Sequence, residues 1–217
     1  MEREVHEYEG EDVTVTYDAK RCIHARECVR GLPAAFDPDR RPWIDPDAAA
    51  ADDLAEVVTR CPTGALHFER TDGGPGESTP GENTVTVTAG GPLYVRGDVD
   101  VTDEDGTVRL SDTRVALCRC GASANRPLCD GSHSEVGFAA DGTVAGDSAR
   151  EGPPEGGLTV TPTPNGPLHL EGEVRIDGED GSTWRGDEAW LCRCGGSGEK
   201  PFCDGTHARI GFETGHD

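Results

Sequence analysis

Apolar and polar positions alternate in short runs over most of this chain, and that period of two predicts strands. Val13, Val15 and Tyr17 fit one strand early in the sequence, and Ala65 to Phe68 fits another that closes the same region. Between them, Asp45-Pro46 is a helix-start signal with Ala48–Arg60 as the body, stopped by Cys61-Pro62. Farther on, Val85 and Val87, Leu93 and Val95, Val99 and Val101, and Val115 and Leu117 read as strands. Leu158 and Val160, Leu168 and Leu170, and Val174 and Ile176 repeat the pattern. Asp105-Gly106 and Asp180-Gly181 suit hairpin turns.

The second set of strands belongs to an internal repeat. Cys118 to His133 reads CRCGASANRPLCDGSH and Cys192 to His207 reads CRCGGSGEKPFCDGTH, identical at 10 of 16 positions, with Phe138 and Phe212 close behind. The match reaches upstream, where Gly91-Pro92-Leu93 aligns with Gly166-Pro167-Leu168. Two copies imply a tandem duplication, since solenoids need at least about three repeats. Stretches rich in Gly, Pro and charge mark the boundaries. The expected organisation is a small α+β domain at 1–70, a linker at 71–83, a β-rich unit at 84–139, a linker at 140–157 and a second β-rich unit at 158–217. Helix is expected in the repeats only after each Cys-Asp-Gly.

Composition narrows the function. Of 217 residues, 42 are acidic and 20 basic, a net charge of −22 that repels nucleic acid, whose phosphates need Lys and Arg. Lys20 and Lys200 are the only lysines. Acidic excess with Arg favoured over Lys looks like the cytoplasmic protein of a salt-loving microbe, in which salt screens self-repulsion. An ordinary acidic redox protein is the alternative. The apolar runs fall far short of the ~20 residues of a membrane span, and Glu2, Arg3 and Glu4 after Met1 give no secretory pattern. No P-loop, dinucleotide fingerprint or nucleophile–base pair is visible, so a non-enzymatic role is expected.

The nine cysteines carry the chemistry. They fall in three groups of three: Cys22, Cys28 and Cys61; Cys118, Cys120 and Cys129; Cys192, Cys194 and Cys203. An odd count in a chain with no export signal disfavours a disulfide framework and suggests three metal sites. Each repeat adds a histidine, His133 or His207, and three thiolates with one imidazole suit tetrahedral zinc or an iron–sulfur cluster. Asp130 and Asp204 are placed to cap the following helix, and Gly131 and Gly205 to turn the backbone.

These two windows resemble the CDGSH iron–sulfur domain, the mitoNEET type, down to Ser123, Pro127 and Asp130 in one copy and Ser197, Pro201 and Asp204 in the other. The resemblance implies one 2Fe–2S cluster on Cys118, Cys120, Cys129 and His133, and another on Cys192, Cys194, Cys203 and His207. Known members build their fold from an intertwined pair of units. Here one chain can supply both halves of a pseudo-symmetric pair and remain a monomer.

Cys22-x5-Cys28 with a distant Cys61-Pro62 resembles a one-cluster bacterial ferredoxin whose middle ligand position falls on Ala25. CVRGLPAAFD, RPWI and CPTGAL also look like the divergent mono-cluster 4Fe–4S domain. The resemblance implies a ferredoxin-like fold. With three thiolates left, a 3Fe–4S cluster competes with a 4Fe–4S cluster completed by solvent or by His24.

The expected function is electron transfer with unidentified redox partner proteins. Cluster storage, delivery or redox sensing is the alternative, and a zinc-bearing interaction module the third. Replacing one thiolate by neutral imidazole makes a 2Fe–2S site less negative and easier to reduce, the direction seen in Rieske centres. The ligating nitrogen must also be free of its proton, so acid competes with iron. Potentiometry and acid titration are therefore expected to show His133→Cys and His207→Cys lowering the potential and removing the acid lability.

Overall fold

A computed structural model describes residues 1–146, 148 and 156–215, which form two compact units, Glu2–Ser78 and Thr79 onward. In the first, β1 (Val5–Glu9), β2 (Val13–Asp18) and β3 (Leu66–Arg70) make an antiparallel sheet in the order β1-β2-β3. Helices α1 (Glu27–Gly31) and α2 (Ala51–Thr59) come from the segment between β2 and β3. Val13 and Val15 of β2 and Phe68 of β3 meet Leu54, Val57 and Val58 of α2 and Phe36 and Ile44 of the loop in one core. The spacing of Leu54, Val57 and Val58 is that of a helix with one buried face.

Two features differ from expectation. β1 carries no alternation of buried positions, being an exposed edge strand, so it left no pattern to read. The helix expected from Ala48 starts at Ala51. Asp45 instead opens a 3-10 turn, Pro46–Ala48, and Ala49 and Ala50 return to extended backbone. The Asp45 N–H donates to the Ala35 carbonyl at 2.9 Å beside a Phe36–Ile44 bridge, which fixes the chain direction there.

The second unit is built on one six-stranded sheet. The first copy supplies β4 (Thr84–Val87), β5 (Leu93–Thr102), β6 (Val108–Leu117) and one helical turn, α3 (Ser132–Glu135). The second supplies β7 (Leu158–Pro162), β8 (Leu168–Gly178), β9 (Thr183–Leu191) and α4 (Thr206–Arg209). The hairpins β5–β6 and β8–β9 turn at Asp105-Gly106 and Asp180-Gly181, as expected.

Each short strand lies between the two hairpins. β4 pairs antiparallel with β5 of its own copy and parallel with β8 of the other. β7 pairs antiparallel with its own β8 and parallel with β5. The registers correspond: Thr84 faces Arg96 and Arg175, and Thr159, 75 positions later, faces Glu171 and Asp100. β5 changes partner from β4 to β7 at an irregularity between Arg96 and Val99, and β8 changes between Glu171 and Val174. Leu93 and Val95, expected as a strand separate from Val99 and Val101, are thus one strand interrupted by a bulge. All the apolar pairs of the repeat enter one shared core, including Val85, Val101, Leu117, Val160, Leu170 and Ile176.

The stretches expected as exposed linkers contribute to this core. Val144 is buried in it, while 147 and 149–155 lie outside the described residues. Asn83 is buried as well and ties the copies together. Its Nδ2 donates to the carbonyls of Gly156 at 2.8 Å and Glu173 at 3.0 Å, and its Oδ1 accepts the Asp98 N–H at 3.1 Å. Asn83→Ala removes three hydrogen bonds made by a buried amide and is expected to cost about 2–3 kcal/mol, measurable as a lower denaturation midpoint of the full chain.

Candidate metal centres

Strand pairing carries each cysteine loop back onto its own start. Leu117 bridges Leu128, the Cys118 N–H donates to the Pro127 carbonyl at 2.8 Å, and the Cys129 N–H donates to Ala116 at 2.8 Å. The second loop repeats this with Leu191 and Phe202, Cys192 N–H to Pro201 at 2.7 Å and Cys203 N–H to Trp190 at 2.8 Å. The expected ligands come together in pairs. Sγ of Cys118 lies 3.7 Å from Sγ of Cys120, and Cys129 Sγ lies 3.4 Å from His133 Nδ1. The corresponding separations are 3.8 Å for Cys192–Cys194 and 3.3 Å for Cys203–His207. Two thiolates about 2.3 Å from one ion at a tetrahedral angle stand about 3.8 Å apart, so each pair is spaced to grip one metal atom. Among the described residues no group of three or more His, Cys, Asp or Glu closes on a single ion.

The residues between the ligands hold the loops. Ser123 Oγ donates to the Leu128 carbonyl at 2.7 Å and accepts the Asn125 N–H; Ser197 does the same with Phe202 and Glu199. Asp130 accepts the N–H of Ala124 at 2.7 Å and of Ser132 at 3.0 Å, and Asp204 accepts those of Gly198 and Thr206 at 2.9 Å each. These carboxylates reach the first turn of α3 and α4 from one residue before the N-cap, which is Gly131 or Gly205 with φ of 92° and 80°. Backbone N–H groups also point at sulfur: Ala122 at Cys120 (3.5 Å), Gly131 at Cys129 (3.4 Å) and Gly196 at Cys194 (3.4 Å).

The electrostatics suit a cationic occupant. The Cys120 thiol beside it holds Cys118 down at about 6, while burial pushes Cys129 up to about 12. Buried thiols that resist ionising alone give up their protons to a bound cation. Burial also depresses the His133 imidazole, which keeps it neutral as a ligand must be.

The two loops touch. Gly121 (φ 81°) and Gly195 (φ 77°) lie back to back, so a Cβ at Gly121 would stand 2.9 Å from the Cys194 carbonyl oxygen, and one at Gly195 2.7 Å from that of Cys120. Only glycine fits this contact.

In the first unit, Cys22, Cys28 and Cys61 line one small pocket with Tyr17, Ile23, Ala25, Glu27, Trp43 and Leu66. Cys22 follows β2, Cys28 sits in α1 and Cys61 follows α2. His24 and Arg26 hold positive φ (58° and 65°) on either side of Ala25, a strained loop of the kind that clusters at binding sites. His24, the expected alternative ligand, is not among the lining residues. Burial raises Cys28 to about 11. Tyr17, raised by burial and by its hydrogen bond to Cys22, meets the edge of Trp43 at 4.9 Å.

Comparison with known proteins agrees with this division. Residues 8–71 match the family described as divergent 4Fe-4S mono-cluster, and residues 90–134 and 165–208 each match the iron-binding zinc finger of CDGSH type. The uncharacterized protein YjdI of Escherichia coli, from strain K12 and from O157:H7, is 38% identical over 61 residues, which are 28% of this chain and 80% of YjdI. The chain belongs to the divergent mono-cluster family and carries two CDGSH domains. It is an iron–sulfur binding protein. No helix among the described residues is long and apolar enough to cross a membrane.

Motif reading singled out the residues that pair in the CDGSH copies but missed two glycines beside them and one residue beside the cysteines of the first unit. Gly121 and Gly195 were inconspicuous among 30 glycines, and Tyr17 read only as a strand residue. Two histidines outside the motifs have neighbours of their own: His67 Nδ1 lies 3.1 Å from Glu77, and His169 stacks on Trp190 at 3.9 Å. Gly195→Ala is expected to cost about 1–3 kcal/mol and to quicken chelator-driven metal loss from both CDGSH copies. Gly205→Ala, at a similar φ with nothing within 4 Å, is expected to leave the partner copy's metal retention unchanged.

Proposed function

We propose that this chain is an electron carrier with a 2Fe–2S cluster in each CDGSH copy and a 3Fe–4S or 4Fe–4S cluster in the mono-cluster domain. The observation that carries the reading is the division of each ligand set into two pairs. A two-iron cluster needs two ligands at each of two iron atoms, whereas a single zinc needs four converging on one point. Such a cluster, when bound, takes up and returns one electron. The residues supply the rest. Cys118 and Cys120 hold one iron, Cys129 and His133 hold the other, and Cys192, Cys194, Cys203 and His207 repeat the arrangement. The N–H groups of Ala122, Gly131 and Gly196 offset negative charge on the sulfurs, which favours the reduced state.

In the ferredoxin-like first domain, three thiolates around one pocket suit three irons of a cluster. A fourth iron takes solvent or an oxygen from the lining, where Glu27 is the carboxylate available. The paired registers of β4 and β7 support the two copies acting as a pseudo-symmetric pair within a monomer, a cytoplasmic protein of a salt-rich cell that meets its redox partners in solution. Cluster delivery is the second reading. His133 and His207 are half-buried at the loop edges, where an incoming ligand can replace them.

Anaerobic purification with iron, sulfide and zinc analysis tests the proposal. Two iron and two sulfide per CDGSH copy are expected. Cys203→Ser is expected to remove one such set and leave the other signals in place. A colourless protein with stoichiometric zinc overturns it. Rapid reversible reduction favours transfer, and faster handover of iron to an apo-ferredoxin favours delivery.

A further inference from the structure

Each CDGSH copy carries a phenylalanine five residues after its histidine, Phe138 or Phe212. In both copies the ring lies beside a buried arginine from between the first two cysteines. The Arg119 guanidinium stands 5.3 Å from the centre of the Phe138 ring, and that of Arg193 5.7 Å from the centre of Phe212, within the range of a cation–π contact. Arg119 is 1% exposed and Arg193 2%. Each also grips the turn before the long strand of its own copy. Arg119 Nε donates to the Gly91 carbonyl at 3.1 Å and Nη2 to that of Thr88; Arg193 Nε donates to Gly166 at 3.0 Å and Nη2 to Thr163 at 2.6 Å. In the first copy Nη1 adds the Asp141 carbonyl at 3.1 Å, in the segment that leaves the ring. The rings are joined to the histidines through backbone, because the N–H of Phe138 donates to the His133 carbonyl and that of Phe212 to His207, at 2.9 Å each.

We propose that the pairs Arg119–Phe138 and Arg193–Phe212 are clasps that position His133 and His207 as ligands, each within its own copy. The proposal rests on the reading above that both histidines bind a cluster. The four ligands of a copy are not held alike. Cys129 is tied to the strands by its own N–H, which donates to Ala116, and Cys203 is tied in the same way to Trp190. His133 and His207 lie past those ties, on α3 and α4, single turns of four residues that do not persist on their own hydrogen bonds. Asp130 and Asp204 hold the start of each turn through the N–H groups of Ser132 and Thr206. Its far end is held by the clasp. Because the arginine sits between the first two cysteines, the contact also spans the two ligand pairs and fixes one against the other. Neither phenylalanine belongs to the shared core and both are half-buried, so the rings serve the loops and not the sheet. Arg119, Phe138, Arg193 and Phe212 are thus positioning residues.

The test uses the full-length chain with Cys203→Ser, which leaves the first copy as the CDGSH cluster to be read. Adding Phe138→Ala is expected to speed iron loss from that copy to a chelator at neutral pH about tenfold. It is also expected to broaden the nitrogen hyperfine coupling that the imidazole gives the reduced cluster. Phe138→Tyr keeps the ring and is expected to restore both parent values, and Phe212→Ala, in the other copy, to change neither. Arg119→Lys offers an ammonium that cannot span the carbonyls and the ring together, and is expected to lose iron at least as fast as Phe138→Ala. Combining the two is expected to be no faster than Arg119→Lys alone, since both break one contact. A Phe138→Ala chain with the parent rate and coupling overturns the proposal. So does a Tyr variant that behaves like Ala, or a double variant whose effects multiply. If His133→Ala leaves the nitrogen coupling in place, the ligand reading beneath it fails instead.

Discussion

Parallel pairing between β4 and β8 and between β7 and β5 is the constraint on which the second unit rests. A three-stranded CDGSH copy alone leaves the far edge of its short strand unpaired and half of its long strand without a partner. Unpaired edges and backbone groups removed from water are costly. Each short strand fills both vacancies of the other copy, so a single sheet and core serve two sites. The bulges at Gly97 and Gly172 are part of this arrangement, because they mark where a long strand exchanges one short neighbour for the other.

That geometry brings the cysteine loops together. β6 and β9 lie at the two margins of the sheet, and each ends directly before a proposed ligand, Cys118 or Cys192. Rigid strands therefore aim the first thiolate of each site, while Ser123, Asp130 and their counterparts fix the return of the loop by hydrogen bonds to backbone. Rotamer freedom at the ligands is small before any metal arrives, and less entropy is lost in gripping it.

Much of this was legible in the residues. Val85, Val87, Leu168 and Leu170 announced strands because one face of each is buried, and the spacing of Cys118, Cys120, Cys129 and His133 announced a ligand set because it repeats at Cys192. Exchange between copies was not legible, since alternation records which face is buried and not which neighbour covers it. β1 escaped notice because both of its faces are largely exposed. Asn83 was concealed by its setting: it ends a run of Gly, Pro and charged residues, yet its side chain is buried and makes three hydrogen bonds. Phe138 and Phe212 were visible as a repeated feature, but only the structure places them over Arg119 and Arg193.

The swap of short strands has a bearing on biosynthesis. A ribosome delivers β4, β5 and β6, with the first cysteine loop, well before β7 and β8 exist, and domains ordinarily fold in order of emergence. Here the earlier half must wait with an open flank until the later half is translated, so ordering of the sheet is a late, long-range event of the slow-folding kind. Maturation enzymes that load iron would then encounter both pockets at one stage, and a truncated nascent chain would offer neither in finished form.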